Sequence, residues 1–410
     1  MLKIGEFIYP WGSGHYSRMM RLNAVLPEFV AGGFEIHYSS KDHVYQKLLE
    51  EFPNNGSHIH KILMPTPIDG KFGPSVTLSM LNLLLPINNN RPLVKQISSY
   101  LKQERKLYDE ENFDLVINDG DMGSNVLAKN RNIPSLFITN QFMPRLYKKR
   151  AYFYPSMMFV AKQISKASQI LVADSPPPYT LCEYNLNFTK DVKNVVYVGH
   201  FTDSKPIKKS PATDLEKLID GSEFGYWMRT GNKSTNDGTG QRYEEVFAQD
   251  EMSNERRIIS HARDDPAIDA VLGKDQRRYS ISEALEKKID WIQIDVGFLS
   301  EQEKDTVLDL CRYAVVNGSH TVMGEILGGK SKPVIGMPIY DEHTNNIRWA
   351  DEKNLGVLAT KTGHVIKAIN RIKKEYNKFE ESLEDFARNF VPAGAANTAK
   401  IAAAILEEKR

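Results

Sequence analysis

Apolar and polar positions along this chain repeat one rhythm: a short apolar run, a turn of small or polar residues, then a segment of helical period. Residues 1–9 read as a buried strand, 10–13 as a Pro/Gly/Ser turn, and a helix starts near His15. Further strands are predicted at 34–40, 58–63, 113–119, 134–140, 170–174 and 194–199, with helices at 42–52, 91–110 and 121–130. The segment 200–211, HFTDSKPIKKSP, is polar, basic and punctuated by proline, and reads as a linker. The pattern then restarts, with strands at 224–228, 257–261, 291–295, 314–316 and 334–337. The tail from 364 to 410 is helical in pattern, with a break at 391–394. Strands alternating with helices make parallel crossovers, so the fold class is α/β with two doubly wound domains.

Length agrees with that division, since 410 residues suit two domains better than one. The expected boundaries are 1–205, 206–390 and a final helix over 391–410. With 53 basic against 52 acidic residues, no overall field recruits nucleic acid or an acidic partner. Cys182 and Cys311 are too far apart for a zinc pattern and too few for a disulfide framework, which fits a reducing cytoplasm. The chain opens on a strand, LKIGEFIY, where a secreted protein would carry a signal segment. The longest apolar run, 78–87 (LSMLNLLLPI), falls well short of the ~18 residues that span a bilayer.

Candidate chemistry concentrates at strand ends. In 315–346 a strand runs into the turn Asn317, Gly318, Ser319 and then a short helix carrying Glu325. Small residues ahead of a helix start suit a diphosphate, and a carboxylate one turn on suits a ribose. After Pro338 comes the polar run Asp341, Glu342, His343, Thr344, Asn345, Asn346, read as a loop. At the first strand, WGSGHYSR over 11–18 opens the backbone with Gly12 and Gly14, and His15 projects from the helix start, either as a proton acceptor or as a plain helix cap. Asp119, in NDGD, ends another strand of the same domain and could orient His15. It also reads as an ordinary strand-end acid, and Asp121 as a helix cap. Residues 229–242, RTGNKSTNDGTGQR, read as a Gly-rich loop ahead of a helix, with Arg229, Thr230 and Gly231 facing a nucleotide or 232–239 simply solvated. His261 ends the next strand. Residues 145–154, RLYKKRAYFY, mix cations with aromatics. Together with 78–87 they suit an anionic membrane interface. The same basic-aromatic composition can bind nucleic acid, or else the stretches are core packing beside a solvated basic helix end.

The small-residue turn, Glu325, the Pro-ended strand, and the residues Asp341, Glu342 and Asn345 resemble the donor-binding signature of GT-B glycosyltransferases. Ser319 stands where a second glycine is usual, and Val322 where a hydroxyl residue is common. The nearest likeness is to the peptidoglycan-precursor N-acetylglucosaminyltransferase group and its archaeal relatives. The resemblance implies two Rossmann-like domains facing a cleft, with the last helix crossing back to the first domain. It implies a donor site of Arg229, Thr230, Gly231, His261, Gly318, Ser319, His320, Thr321, Glu325, Asp341, Glu342 and Asn345. Gly12, Ser13, Gly14 and Asn140 would face the acceptor, and His15 with Asp119 would catalyse. Retaining relatives carry a second glutamate where Pro333 stands, so the resemblance implies inversion. The expected partners are a nucleotide-diphosphate sugar, UDP-linked, as co-substrate and an acceptor glycan or lipid, with no metal and no other cofactor. Peripheral contact with the inner membrane face would run through 78–87 and 145–154. A sugar-nucleotide epimerase and a non-catalytic nucleotide-sugar binder are the alternative readings.

Overall fold

In a computed structural model the described residues are 1–12, 14–70, 73–87, 90–146, 153–202 and 210–409. They divide into two compact units, the first of Met1–Gly70, Pro74–Asp203 and Val391–Arg410, the second essentially Ser204–Phe390.

Among the described residues the main sheet of unit 1 has seven strands: β1 (Leu2–Ile8), β2 (Phe34–Ser40), β3 (Ile59–Lys61), β4 (Leu115–Asp119), β5 (Ser135–Thr139), β6 (Gln169–Val172) and β7 (Val195–Tyr197). They lie in the order β3-β2-β1-β4-β5-β6-β7, every pairing parallel. Strands buried on both faces need continuous apolar runs, and Leu115, Val116 and Ile117 or Leu136, Phe137 and Ile138 supply them. The order reverses between β1 and β4, where Ile8 pairs with Asp119. Outside the carboxyl ends of such a pair, doubly wound sheets form their crevice. Helix α1 (Gly14–Phe29) leaves β1 there, and α2 (Met122–Asn130) leaves β4. Asp121 caps α2 by accepting from the Gly123 and Ser124 N–H groups.

The last helix, Gly394–Glu407, belongs to unit 1. Its Ala395, Ala399, Ala402, Ala403 and Leu406 pack in one core with Met19, Leu22 and Leu26 of α1, and the alanine stripe lets the two helices approach closely. The expected linker begins later than position 200. The His200 N–H donates to Val391 O at 2.7 Å, the Gly394 N–H donates to His200 O at 2.9 Å, and both His200 and Phe201 are buried. Residues 203–209 of that segment lie outside the described residues.

Unit 2 repeats the plan with β8 (Gly225–Met228), β9 (Arg257–Ser260), β10 (Ala270–Gly273), β11 (Arg278–Tyr279), β12 (Trp291–Val296), β13 (Tyr313–Val316), β14 (Val334–Gly336) and β15 (Gly356–Leu358). The order is β11-β10-β12-β9-β8-β13-β14-β15, parallel except for the β10–β11 hairpin, which adds antiparallel to β12. Here the order reverses between β8 and β13. The hairpin and β15 are elements the apolar pattern did not reveal, being two to four residues long.

Two segments read as loops are helices. Helix α3 (Lys233–Phe247) takes up most of the Gly-rich run, starting where the Asn232 side chain accepts from the Thr235 N–H at 3.0 Å. Thr235, Asn236, Gly238, Thr239 and Gly240 are buried on it, so 232–239 is not a solvated loop. Packing overrides the low helical propensity of glycine. Helix α4 (His320–Gly324) follows β13 and continues in one wide turn to Gly329, and α5 (Asp341–Glu352) contains the whole polar run after Pro338. In unit 1, Val76–Leu81 is helical, and Leu84 and Leu85 beyond it are exposed.

Candidate functional site

At the carboxyl edge of β1 and β4, three side chains meet. His15 Nδ1 lies 2.6 Å from Asp119 Oδ1, while Arg18, one turn along α1, donates from Nη2 to Oδ1 at 2.7 Å and from Nε to Oδ2 at 2.8 Å. Asp119 is fully buried, with 0% exposure. Burial alone would raise its carboxyl above the usual range, but the Arg18 guanidinium and the His15 imidazole override that and hold it below. Arg18 Nη2 also lies 3.1 Å from His15 Nδ1, but the ionised carboxylate is closer at 2.6 Å and accepts hydrogen bonds only, so it favours the His15 proton on Nδ1 and the lone pair on Nε2. The half-buried His15 is therefore oriented to take a proton. Gly120 makes the arrangement possible. Its φ of +86° is left-handed, and a Cβ there would lie 2.9 Å from His15 Cε1 and 2.8 Å from Tyr9 Cβ.

The dyad of His15 and Asp119 was legible in the sequence; Arg18 was not assigned a role. Its signal is the spacing, since positions i and i+3 share a helix face. Gly12 has a left-handed φ of +84°, and Asn140 follows the end of β5 at the same sheet edge. Ser13 lies outside the described residues.

In unit 2 the corresponding reversal point is held by Asn317. Its amide donates to Thr230 O at 3.1 Å and its Oδ1 accepts from the Thr230 hydroxyl at 3.3 Å and the Ser319 N–H at 3.1 Å. The loops after β8 and β13 are thus tied together by a residue given no separate role in the sequence reading. The Ser319 N–H is already engaged by the Asn317 side chain. Gly318 has φ +98° and packs against the His343 backbone and Ile347, so this turn demands glycine on conformational grounds alone.

Arg229 and His261 are brought into direct contact. Arg229 Nη1 lies 3.0 Å from His261 Nδ1, and Arg229 Nε donates to Asn236 Oδ1 at 3.1 Å. Because a guanidinium only donates, His261 Nδ1 accepts and its Nε2–H donates to Asp295 Oδ1 at 2.8 Å. Asn236 closes the network through His261 O at 2.9 Å. A shallow depression beside it is lined by Gly231, Lys233, Asn236, Asp237, Ala262 and Arg263. Glu325 receives both its hydrogen bonds from Lys304 Nζ, at 2.6 and 2.7 Å. Asp341 and Glu342 lie half-buried in the first turn of α5, Asn345 is 1% exposed, His320 is buried and Thr321 half-buried.

Of the two stretches with membrane-like composition, 78–87 exposes Leu81, Leu83, Leu84 and Leu85. In the second, Arg145 stacks over Tyr184 at 3.5 Å, Tyr154 is exposed, and 147–152 lie outside the described residues. The helix that follows, Tyr154–Ile164, also exposes Met158 and Phe159.

Two doubly wound units, each with its candidate residues at the carboxyl ends of the central strands and with the last helix returning to the first unit, are the GT-B fold. Among solved structures the chain is similar over 99% of its length, and all of the other chain, to Phytolacca americana UGT2 complexed with UDP-2fluoro-glucose and pterostilbene (TM-score 0.65, 13% identity). It is similar over 100% of its length, and 97% of the other, to a UDP-N-acetylglucosamine 2-epimerase (TM-score 0.55, 12% identity). In sequence it is 28% identical over 233 residues to an uncharacterized glycosyltransferase of Methanosarcina mazei, covering 53% of this chain. The match spans 54% of that relative's length, about half. No family model matches the sequence.

Proposed function

We propose that this protein is an inverting glycosyltransferase that moves a hexose or N-acetylhexosamine from a nucleotide-diphosphate sugar, UDP-linked, to an acceptor hydroxyl. The observation that carries the reading is the His15 imidazole held by an ionised, buried Asp119. In the step it implies, His15 Nε2 takes the acceptor O–H proton as the oxygen attacks the anomeric carbon. The bond from that carbon to the β-phosphate oxygen breaks, and its electron pair leaves with UDP. Asp119 stabilises the imidazolium and Arg18 keeps Asp119 ionised. Pro333, standing where retaining relatives carry a second glutamate, supports a single displacement with inversion. No step calls on a metal ion.

The donor belongs to unit 2. The helix start over His320 and Thr321 and the loop of Arg229, Thr230 and Gly231 meet the diphosphate, with His261 setting the Arg229 guanidinium. Glu325 binds the ribose, exchanging Lys304 for sugar hydroxyls. Asp341, Glu342 and Asn345 serve the sugar, Asn345 through the packing of α5. Gly12, Ser13, Gly14 and Asn140 line the acceptor side. The similarity to a Methanosarcina mazei glycosyltransferase, and to a fold neighbour solved with a UDP-sugar analogue, supports this assignment.

The acceptor is a lipid or lipid-linked glycan at an anionic membrane surface. The exposed Leu84 and Leu85, with Tyr154, Met158 and Phe159 elsewhere in unit 1, give the apolar contacts. Flotation with anionic vesicles at low salt should carry the protein upward, and absence from the floating fraction at every salt concentration removes the lipid assignment. The transfer itself is tested by proton NMR of the product: an anomeric configuration opposite to that of the donor is expected, and retention overturns the mechanism. The fold similarity to the epimerase supports one alternative, which predicts epimerised UDP-sugar without any acceptor.

A further inference from the structure

On the same sheet of unit 1, away from His15, the fold gathers histidines and carboxylates from three separate places in the sequence. His37 is on β2, His58 and His60 flank Ile59 at β3, Glu35 is two residues before His37, and Glu111 ends the helix Leu93–Glu111. His37 Nδ1 is 3.2 Å from His60 Nε2 and 3.5 Å from Glu111 Oε2. One donor atom from each of His37, His60 and Glu111 lies within 4.8 Å of the other two. Four ligands at zinc's usual ~2.05 Å stand about 3.3 Å apart along the edges of a tetrahedron, so the first two separations match a coordination shell.

We infer that His37, His60 and Glu111 form a binding site for a divalent transition metal of the zinc class, distinct from the transferase site. The ligand set is two imidazoles and a carboxylate, which suits zinc and leaves a fourth position for water or for His58, whose ring centroid lies 4.6 Å from that of His37. Binding through Nδ1 places the remaining His37 proton on Nε2. Among the described residues that atom is buried without a hydrogen-bond partner, on a residue 2% exposed, and Glu35 Oε2 is 3.7 Å away. A carboxylate behind a metal-bound imidazole fixes the tautomer and strengthens the ligand. Lys3 donates to Glu111 Oε2 at 3.0 Å, and its side chain, a third exposed, can swing into water when a cation enters.

The site clamps the β2–β3 edge of the sheet to a helix end. Along β1, Gly5 pairs with His37 while Ile8 pairs with Asp119, three residues or about 10 Å further on. The metal therefore serves stability and not the sugar transfer, and it does not depend on the proposed activity.

The test uses the full chain without a polyhistidine tag, stripped with chelator and titrated with Co²⁺ while visible absorption is followed. One equivalent should bind with the intense bands of four-coordinate cobalt, Zn²⁺ should displace it, and Zn²⁺ should raise the melting temperature. His37→Phe, which keeps the core filled, and the less disruptive His60→Gln and Glu111→Gln should each weaken binding at least tenfold and cancel the thermal shift. His364→Ala, in unit 2, should bind as the parent does. Failure to saturate at one equivalent, or parent-like binding by His60→Gln and Glu111→Gln, overturns the assignment.

Discussion

At the scale of single residues, burial and charge divide the work between neighbours. Replacing Asp119 by Asn keeps its volume but removes the charge that fixes the His15 tautomer, so turnover should fall by about 10²–10⁴-fold, with UDP affinity unchanged by calorimetry. Asp119→Ala should be far more damaging to the fold, because it strands the buried Arg18 guanidinium, at a cost of about 3–5 kcal/mol measured by urea unfolding. With its pKa depressed in the folded state, Asp119 stabilises the protein above its unfolded value, near ~3.9, and that contribution is lost only as pH falls through the lower folded value. Glu6 has the opposite sign. Fully buried on β1 and accepting from the Asn23 amide at 2.9 Å, it is pushed by burial from 4.5 to about 8. Between those values the unfolded chain has released a proton that the folded chain keeps, so stability should decline from pH 5 to pH 8. Urea midpoints measured across that range should fall for the parent and stay flatter for Glu6→Gln; parallel curves would contradict the assignment.

At the scale of elements, backbone geometry sets where side chains can stand. Gly120→Ala forces a left-handed residue to carry a Cβ into His15 and Tyr9, so we expect activity to drop at least tenfold alongside a stability loss of about 1–3 kcal/mol, read from kcat and from urea unfolding. Asn317→Ala removes the tie between the loops after β8 and β13 and should weaken UDP binding while leaving His15 untouched. These elements also mark what sequence can and cannot show. β2 spans 34–40 in both the apolar pattern and the structure, and Asp121 was readable as a cap because local chemistry alone decides both. The α3 segment was misread because Gly238 and Gly240 argue for a loop, whereas their packing decides otherwise: Gly240 carries the Arg229 guanidinium against it, a contact formed only after the chain has folded. The polar run at 341–346 hid α5 for the same reason, since His343, Asn345 and Asn346 are buried polar residues on a helix that faces its own domain. His37, His60 and Glu111 lie too far apart in sequence for any spacing rule to join them.

At the scale of the whole molecule, unit 1 is completed by the end of the chain. Removing 391–410 uncovers the α1 core around Leu22 and Leu26, so scanning calorimetry should show a transition assigned to unit 1 moving down or vanishing while that of unit 2 stays in place. In the proposed transfer the division of labour follows the same boundary, with His15 in unit 1 and the proposed donor-binding loops in unit 2. The most direct test of the central claim is UDP release from UDP-sugar in the presence of acceptor, compared between the parent and His15→Ala, with UDP affinity measured on the same samples. A loss of at least a hundredfold in turnover is expected, with a UDP Kd unchanged within twofold. Parent-like turnover in His15→Ala would contradict that claim.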